Sequence, residues 1–409
     1  MQRREFIRNS SWLAGGILMA DSVNNWTPLG PDKKINIGII GCGDRGKGIM
    51  SVMKDLKNLF NIVAICDVLP FRFDEAKKIM PGEKLKTYSD YRHLLDDKNV
   101  DAIVNATPLY LHFQISGDAL KAGKHIYHEK TMAFTIEESL AFVKLVESRP
   151  GQVFQVGHQY RSVPLYGRVK EMIEKDYLGK VTQIDCRWDR NSNWRRKLPE
   201  PKLEKQINWR MYKAYSGGLV AELLSHQIDF INWAFNTAPE TIIGTGGIDY
   251  FKDGRETFDN VQVMLRYKEG MIGNFGATCG NAREGYIFKI KGGKGTVELK
   301  VNDGFYYPEP KTRKELQTVD GVTGATKIEW TKEGGMAILK EDSAKDGTWY
   351  ALKEFYDCIQ TKKMPSSNVY TGAKTAIIVK MANDSMYQNV INQWKPEYDV
   401  VQTASSLKS

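Results

Sequence analysis

The segment Gly41-Cys42-Gly43-Asp44-Arg45-Gly46 has the spacing GxGxxG and stands between an apolar run and a helix-forming run. Glycines so placed allow a tight turn, a close approach of backbone to a ligand, and close packing of helix on strand. The amides that open the following helix then make a seat for phosphate. Alone the pattern is weak. Here a second apolar run ends in Asp67, 21 residues after the last glycine, where an acidic side chain takes the ribose hydroxyls of a dinucleotide. Gly41, Gly43, Asp44, Arg45, Gly46 and Asp67 are therefore assigned to a nicotinamide cofactor. Asp67 favours NAD over NADP, because a 2′-phosphate would meet a carboxylate, and Arg45 is the residue expected to relax that preference.

Around this turn, apolar runs of strand length at 34–40 and 61–66 and further strand segments at 102–106, 125–128 and 152–156 alternate with helical patterns at 49–59, 71–80, 89–97, 111–122 and 135–148. Alternation at this spacing implies right-handed crossovers and a doubly wound parallel sheet. Beyond residue 157 the rhythm changes. Runs at 181–188, 241–250, 260–267, 271–278, 286–292 and 295–300 read as mostly antiparallel strands, with helices at 165–175 and 219–235. The tail is helical again at 349–361 and 371–393. A chain of 409 residues is too long for one ordinary core. The expectation is an α/β protein in four parts. A signal and linker occupy 1–31, and an NAD-binding Rossmann domain 32–156. An α+β domain with a large open sheet follows at 157–345, and a helical segment at 346–409 packs back on the body.

The net charge of +9 is spread through interspersed basic and acidic residues, which describes a solvated surface rather than a nucleic-acid groove. Five widely spaced cysteines without a CxxC argue against a disulfide framework or a structural zinc site. At the amino terminus, Arg3-Arg4-Glu5-Phe6-Ile7-Arg8 precedes a mostly apolar run at 12–20 and then a polar stretch with Pro28 and Pro31. That run is too short to span a bilayer, which takes roughly 20 residues. The segment resembles a twin-arginine export signal and implies a periplasmic enzyme; an ordinary amphipathic segment would leave the protein in the cytoplasm.

Two further clusters carry chemistry. Glu129-Lys130 follows a strand at the edge where cofactor and substrate should meet, and an ammonium there can hydrogen-bond a substrate hydroxyl and stabilise its alkoxide. The bland alternative is a surface ion pair. Gly217-Gly218 feeds a helix on which Glu222 and His226 stand four apart, close enough to touch. A carboxylate beside an imidazole orients it as a general base, although a helix-surface ion pair has the same pattern. With six histidines in the chain and no further ligands at hand, no metal is expected. Trp194, Trp209 and Arg210 precede this helix and suit a sugar face and its hydroxyls, unless they are ordinary loop and core side chains.

These pieces occur in one order: the glycine turn, Thr107-Pro108 with His112, Glu129-Lys130, Gly157-His158-Gln159-Tyr160-Arg161, and the helix with Glu222 and His226. Over residues 33–390 the chain resembles the glucose–fructose oxidoreductase and inositol dehydrogenase family, Gfo/Idh/MocA. The resemblance implies Lys130 as catalytic lysine and His226 as general base, with Glu222 in place of the family's usual aspartate. It places Thr107, Pro108, His112, Glu129 and Lys130 at the cofactor and His158, Tyr160 and Arg161 at the substrate. It further implies a sugar or cyclitol substrate and a homodimer or homotetramer built through the open sheet. The family's Glu-Lys-Pro reads Glu129-Lys130-Thr131, so the lysine turn is expected to lose proline rigidity. Export suggests a tightly held cofactor, because a dissociating one would not be replaced outside the cytoplasm. It thereby keeps open an NAD-dependent glycoside hydrolase or epimerase working through a transient keto-sugar. A non-catalytic nucleotide sensor is the remaining alternative.

Overall fold

The computed structural model describes residues 33–317, 330–339 and 345–401; the expected signal and linker at 1–31 lie outside the described residues. Six strands form the first sheet: β1 (Ile35–Ile40), β2 (Phe60–Cys66), β3 (Lys86–Tyr88), β4 (Ala102–Asn105), β5 (His125–His128) and β6 (Phe154–Val156). All pairs are parallel, in the order β3-β2-β1-β4-β5-β6. Helices cover both faces, which is why β4 is buried at every residue and reads as apolar up to Asn105. The chain runs outward from β1 to β3 and then restarts at β4 on the other side of β1. That reversal opens a crevice at the carboxyl ends of β1 and β4. β3 was not anticipated: Lys-Thr-Tyr at a sheet edge has no apolar signature.

The first helix starts at Asp44, directly on the glycine turn, rather than at 49. Gly46 and Gly48 weaken local helix propensity and hide the pattern. Yet Gly46 is obligatory, because a Cβ there would lie 1.9 Å from the carbonyl oxygen of Gly41. Gly46→Ala is expected to push the helix off the strand, costing about 1–3 kcal/mol of stability. Thermal unfolding checks this, and an unchanged midpoint would show that the turn can relax.

Nine strands form the second sheet: β7 (Val181–Trp188), β8 (Pro239–Gly247), β9 (Asn260–Tyr267), β10 (Ile272–Thr278), β11 (Tyr286–Gly292), β12 (Gly295–Leu299), β13 (Gly304–Pro308), β14 (Met336–Ala337) and β15 (Asn392–Gln393). Their order is β14-β13-β12-β11-β7-β10-β9-β8-β15. Every pair is antiparallel except β7 with β10. In β9, Val261, Val263, Leu265 and Tyr267 point into the core while Met264 and Arg266 face out. The inner face packs against the helices Pro164–Glu174, Ser225–Ala234 and Val369–Gln388.

The carboxyl-terminal part is shared between the domains. The helix Gly347–Thr361 sends Ala351, Leu352, Phe355 and Ile359 into the core under the first sheet. The helix Val369–Gln388 packs on helix Ile136–Glu147 of the first domain and on β8 of the second. It ends at Gln388, earlier than expected, because Asn389 takes a left-handed conformation that turns the chain into β15. Among the described residues no helix is long and apolar enough to cross a membrane.

Candidate active site

A cavity of about 910 Å³ runs along the carboxyl ends of β1, β2, β4 and β5 and under the second domain. The glycine turn forms one end. Gly41 has φ +92°, and a Cβ on it would stand 2.6 Å from the carbonyl oxygen of Ala106. Asp67 accepts from the backbone N–H of Cys42 (2.8 Å) and of Leu69 (2.9 Å), which aims the carboxylate into the cleft. Burial pushes its pKa up against those two donors. A glycine cradle and an oriented acid fit a dinucleotide. Arg45 is not the cation beside this acid, contrary to expectation. Its guanidinium is turned to Glu129, with Nε 2.8 Å and Nη2 2.7 Å from Oε1, and Nη1 bonds Thr348. Arg72 stands there instead, with Nε 3.9 Å from Asp67. Asp44, also expected at the cofactor, pairs with Arg196 of the second domain at 2.9 Å. Asp67→Ala is expected to weaken NAD binding about tenfold or more and to narrow the preference over NADP, with Arg72 freed to meet the extra phosphate. Titration with both nucleotides measures this, and equal loss for both would remove Asp67 from cofactor selection.

Thr107, Pro108 and His112 line the cavity after β4. Thr107 donates to Asn105 Oδ1 at 2.6 Å. The two ring nitrogens of His112 reach the carbonyls of Thr131 (2.8 Å) and Thr107 (3.0 Å), so this buried ring ties the loop after β4 to the loop after β5. Glu129 and Lys130 are on that second loop. Here the peptide bond to Thr131 is cis, and Thr131 Oγ1 donates to Ala221 O at 3.2 Å. A side-chain hydrogen bond thus ties down the turn where proline was expected to be missed.

The facing wall differs from expectation in one respect. Val220–Leu224 is a π-helical turn preceding helix Ser225–Ala234, not a continuous α-helix. Widened turns of this kind leave carbonyls available and recur at functional sites. Lys130 Nζ donates to Glu222 O at 2.7 Å and Ala221 O at 3.2 Å. Two of its three donors are thereby fixed, and the third remains for a substrate oxygen. Burial lowers the Lys130 pKa, with Glu222 and Glu129 opposing it. The Glu222 carboxylate does not touch His226. It accepts from Arg210 Nε at 2.8 Å. Burial raises Glu222, but Arg210 and Lys130 outweigh it, and the net shift is downward. His226 lines the cavity and is 6% exposed, with Nδ1 buried, which leaves Nε2 to face the cavity. Burial and then the Lys130 charge hold its pKa well below the ordinary histidine value, so the imidazole is neutral.

Of the residues expected at the substrate, Trp209 and Arg210 line the cavity. His158, Tyr160 and Arg161 lie behind its wall. Arg161 is locked to Asp229 in a buried ion pair (2.7 Å), and Tyr160 stacks on Tyr166 at 4.7 Å. Trp194 is also off the lining, with Arg190 over its ring. Sequence reasoning missed Trp188, Gln159, Arg190 and Lys197, all of which line the cavity. Trp188, 5.6 Å from the His226 ring, is the last residue of β7, and an aromatic at a strand end was the available signal.

A Rossmann domain with an oriented acid, a lysine after β5 and a neutral imidazole on a facing helix define an NAD-binding oxidoreductase. Residues 35–158 match the oxidoreductase family with the NAD-binding Rossmann fold, and residues 166–298 match the GFO/IDH/MocA C-terminal domain. The chain belongs to the GFO/IDH/MocA oxidoreductase family. Levoglucosan dehydrogenase of Pseudarthrobacter phenanthrenivorans is 28% identical over 296 residues, covering 65% of this chain and 73% of the relative. Inositol 2-dehydrogenase/D-chiro-inositol 3-dehydrogenase of Lactiplantibacillus plantarum is 27% identical over 202 residues, 49% of this chain and 52% of that protein. The structure of levoglucosan dehydrogenase in complex with NADH has the same fold, with a TM-score of 0.72, 20% identity, and coverage of 88% of this chain and 99% of that one.

Proposed function

We propose that this chain oxidises a hydroxyl of a sugar or cyclitol. The observation that carries the reading is that Lys130, with one donor left over, and the neutral His226 border one cavity beside the glycine turn. Lys130 donates to the substrate oxygen and stabilises its developing negative charge, while His226 Nε2 takes the hydroxyl proton. NAD, when bound, supplies the carbon that accepts the hydride. Trp188 and Trp209 offer apolar faces and Arg210 a donor, a lining suited to a hydroxyl-rich ring. Levoglucosan and inositol, named for the relatives, are the first compounds to try.

The pH dependence follows from the site. His226 must be neutral to accept a proton, and its lowered pKa keeps it so well below neutral pH. Lys130 must be charged, and its lowered pKa brings the alkaline fall in rate below the ordinary lysine value. A kcat profile with an acid limb near the free-histidine value would contradict this assignment.

The same reading includes export through the segment 1–31 with a tightly held NAD, and assembly through the outer face of the second sheet. Exposed Ile243 and Met264 are cross-strand partners on that face. The test is to weigh the nucleotide released on denaturing protein purified without added NAD, then to follow NADH formation on a sugar and cyclitol panel. No NADH from any polyol at saturating NAD would overturn the proposal.

A further inference from the structure

Behind the cavity wall, three imidazole nitrogens are buried with no hydrogen-bond partner among the described residues: Nδ1 of His226 and both ring nitrogens of His158. The two rings meet edge to face with centroids 5.7 Å apart, and His158 is 1% exposed. On its far side, His158 Nδ1 lies 3.4 Å from Asp229 Oδ1, close but not aligned for a hydrogen bond. Asp229 is gripped by Arg161 through Nε (2.7 Å) and Nη2 (2.9 Å) and by Thr375 Oγ1 (3.1 Å). Unpaired buried polar atoms are costly. A single buried water, with its two to four polar partners, satisfies buried polar atoms of this kind.

We propose that His158 is the second seat of the proton that His226 takes from substrate, reached through one buried water, with Asp229 as the positioning residue that orients His158. The idea rests on His226 being the base. At rest His226 carries its hydrogen on Nδ1, which donates to the water and leaves Nε2 as acceptor. When Nε2 gains the substrate proton, Nδ1 gives its own to the water, and the water passes one to His158 Nε2. His226 ends neutral as the Nε2–H tautomer, and His158 becomes an imidazolium. On product release Nε2 loses its proton to solvent and His158 returns its own through the water, so one proton leaves per turnover. The charges facing His158 explain the direction. Asp229, Arg161, Lys130 and Glu129 surround it, with the rings of His128 and His226. Burial lowers His158 to about 4 at rest, against the pull of Asp229. Lys130 disfavours a charge on either ring, but only His158 has a carboxylate, Asp229, beside it to hold one.

Ring-¹⁵N spectra of histidine-labelled protein report the His226 tautomer independently of turnover. The expected result is Nδ1–H in the wild type and a mixture in His158→Phe, with kcat down about tenfold and KM within about twofold. His158→Gln keeps a hydrogen-bonding partner but cannot take a proton, so it should restore the tautomer and not kcat. If His158→Phe fails to fold, His158→Gln decides alone. An Nε2–H tautomer in the wild type, or unchanged kcat in the folded variants, overturns the proposal. If the wild type oxidises no sugar, the function reading falls, and the wild-type tautomer then decides for or against the relay.

Discussion

Lys130→Met lowers kcat by about 10²–10³-fold, the usual consequence of losing one donor aimed at a developing oxyanion. Methionine fills much the same volume and offers no hydrogen. The carbonyl of Ala221 keeps its bonds from Ser225 Oγ (2.8 Å) and Thr131 Oγ1 (3.2 Å), so the π turn retains support. NAD affinity should change little, because the glycine turn and Asp67 are untouched. Steady-state kinetics with the best sugar from the panel, alongside NAD titration, separate the two effects. A kcat within about threefold of the wild type would remove Lys130 from the reacting atoms.

Arg161→Ala destabilises the fold by about 3–5 kcal/mol, the cost of leaving one member of a buried ion pair uncompensated. Both side chains of the Arg161–Asp229 pair are 2% exposed, so solvent screening offers little relief. The pH dependence has a definite sign. In the wild type burial raises the Asp229 pKa, but Arg161 and then His158 outweigh it and hold it below the usual value. The pair's stabilisation is therefore present above the unfolded carboxylate pKa and fades as pH falls through the lower folded value. In the variant the same burial acts without the guanidinium, the folded pKa rises, and the penalty shrinks on acidification. The stability gap between the two proteins should thus narrow from pH 7 towards about pH 4. Urea unfolding at both pH values measures it. A gap that widens on acidification would mean that Asp229 is not the charge left behind.

Much of the first domain is legible in the sequence because its signals are local. Apolar runs make β1, β2 and β4, and the glycine spacing with Asp67 marks the nucleotide cleft before any contact is known. β3 and β15 are not legible, because short edge strands need no apolar face and are made by their neighbours. The site divides in the same way. Lys130, Glu222 and His226 stand out by residue type and spacing, but the π turn that separates Glu222 from His226 arises from tertiary contacts. Those contacts are Lys130 and Thr131 bonding to its carbonyls and Arg210 holding its carboxylate. Arg161 misled for a related reason. It is a polar residue in a motif beside the site, and only the structure shows that it faces Asp229 and the tail segment at Ser366 rather than the cavity.

The helix Gly347–Thr361 completes the hydrophobic core beneath the first sheet, and its Thr348 bonds the arginine of the glycine turn. Chains are made from the amino end, and domains usually fold as they emerge. Here the nucleotide-binding half waits for a piece encoded some two hundred residues after its last strand. On the ribosome the nascent first domain is left with an apolar face that stays uncovered until residues 347–361 have been made. A chain cut short before this helix lacks both that cover and a contact to the glycine turn, which ties cofactor capture to synthesis having passed Thr361.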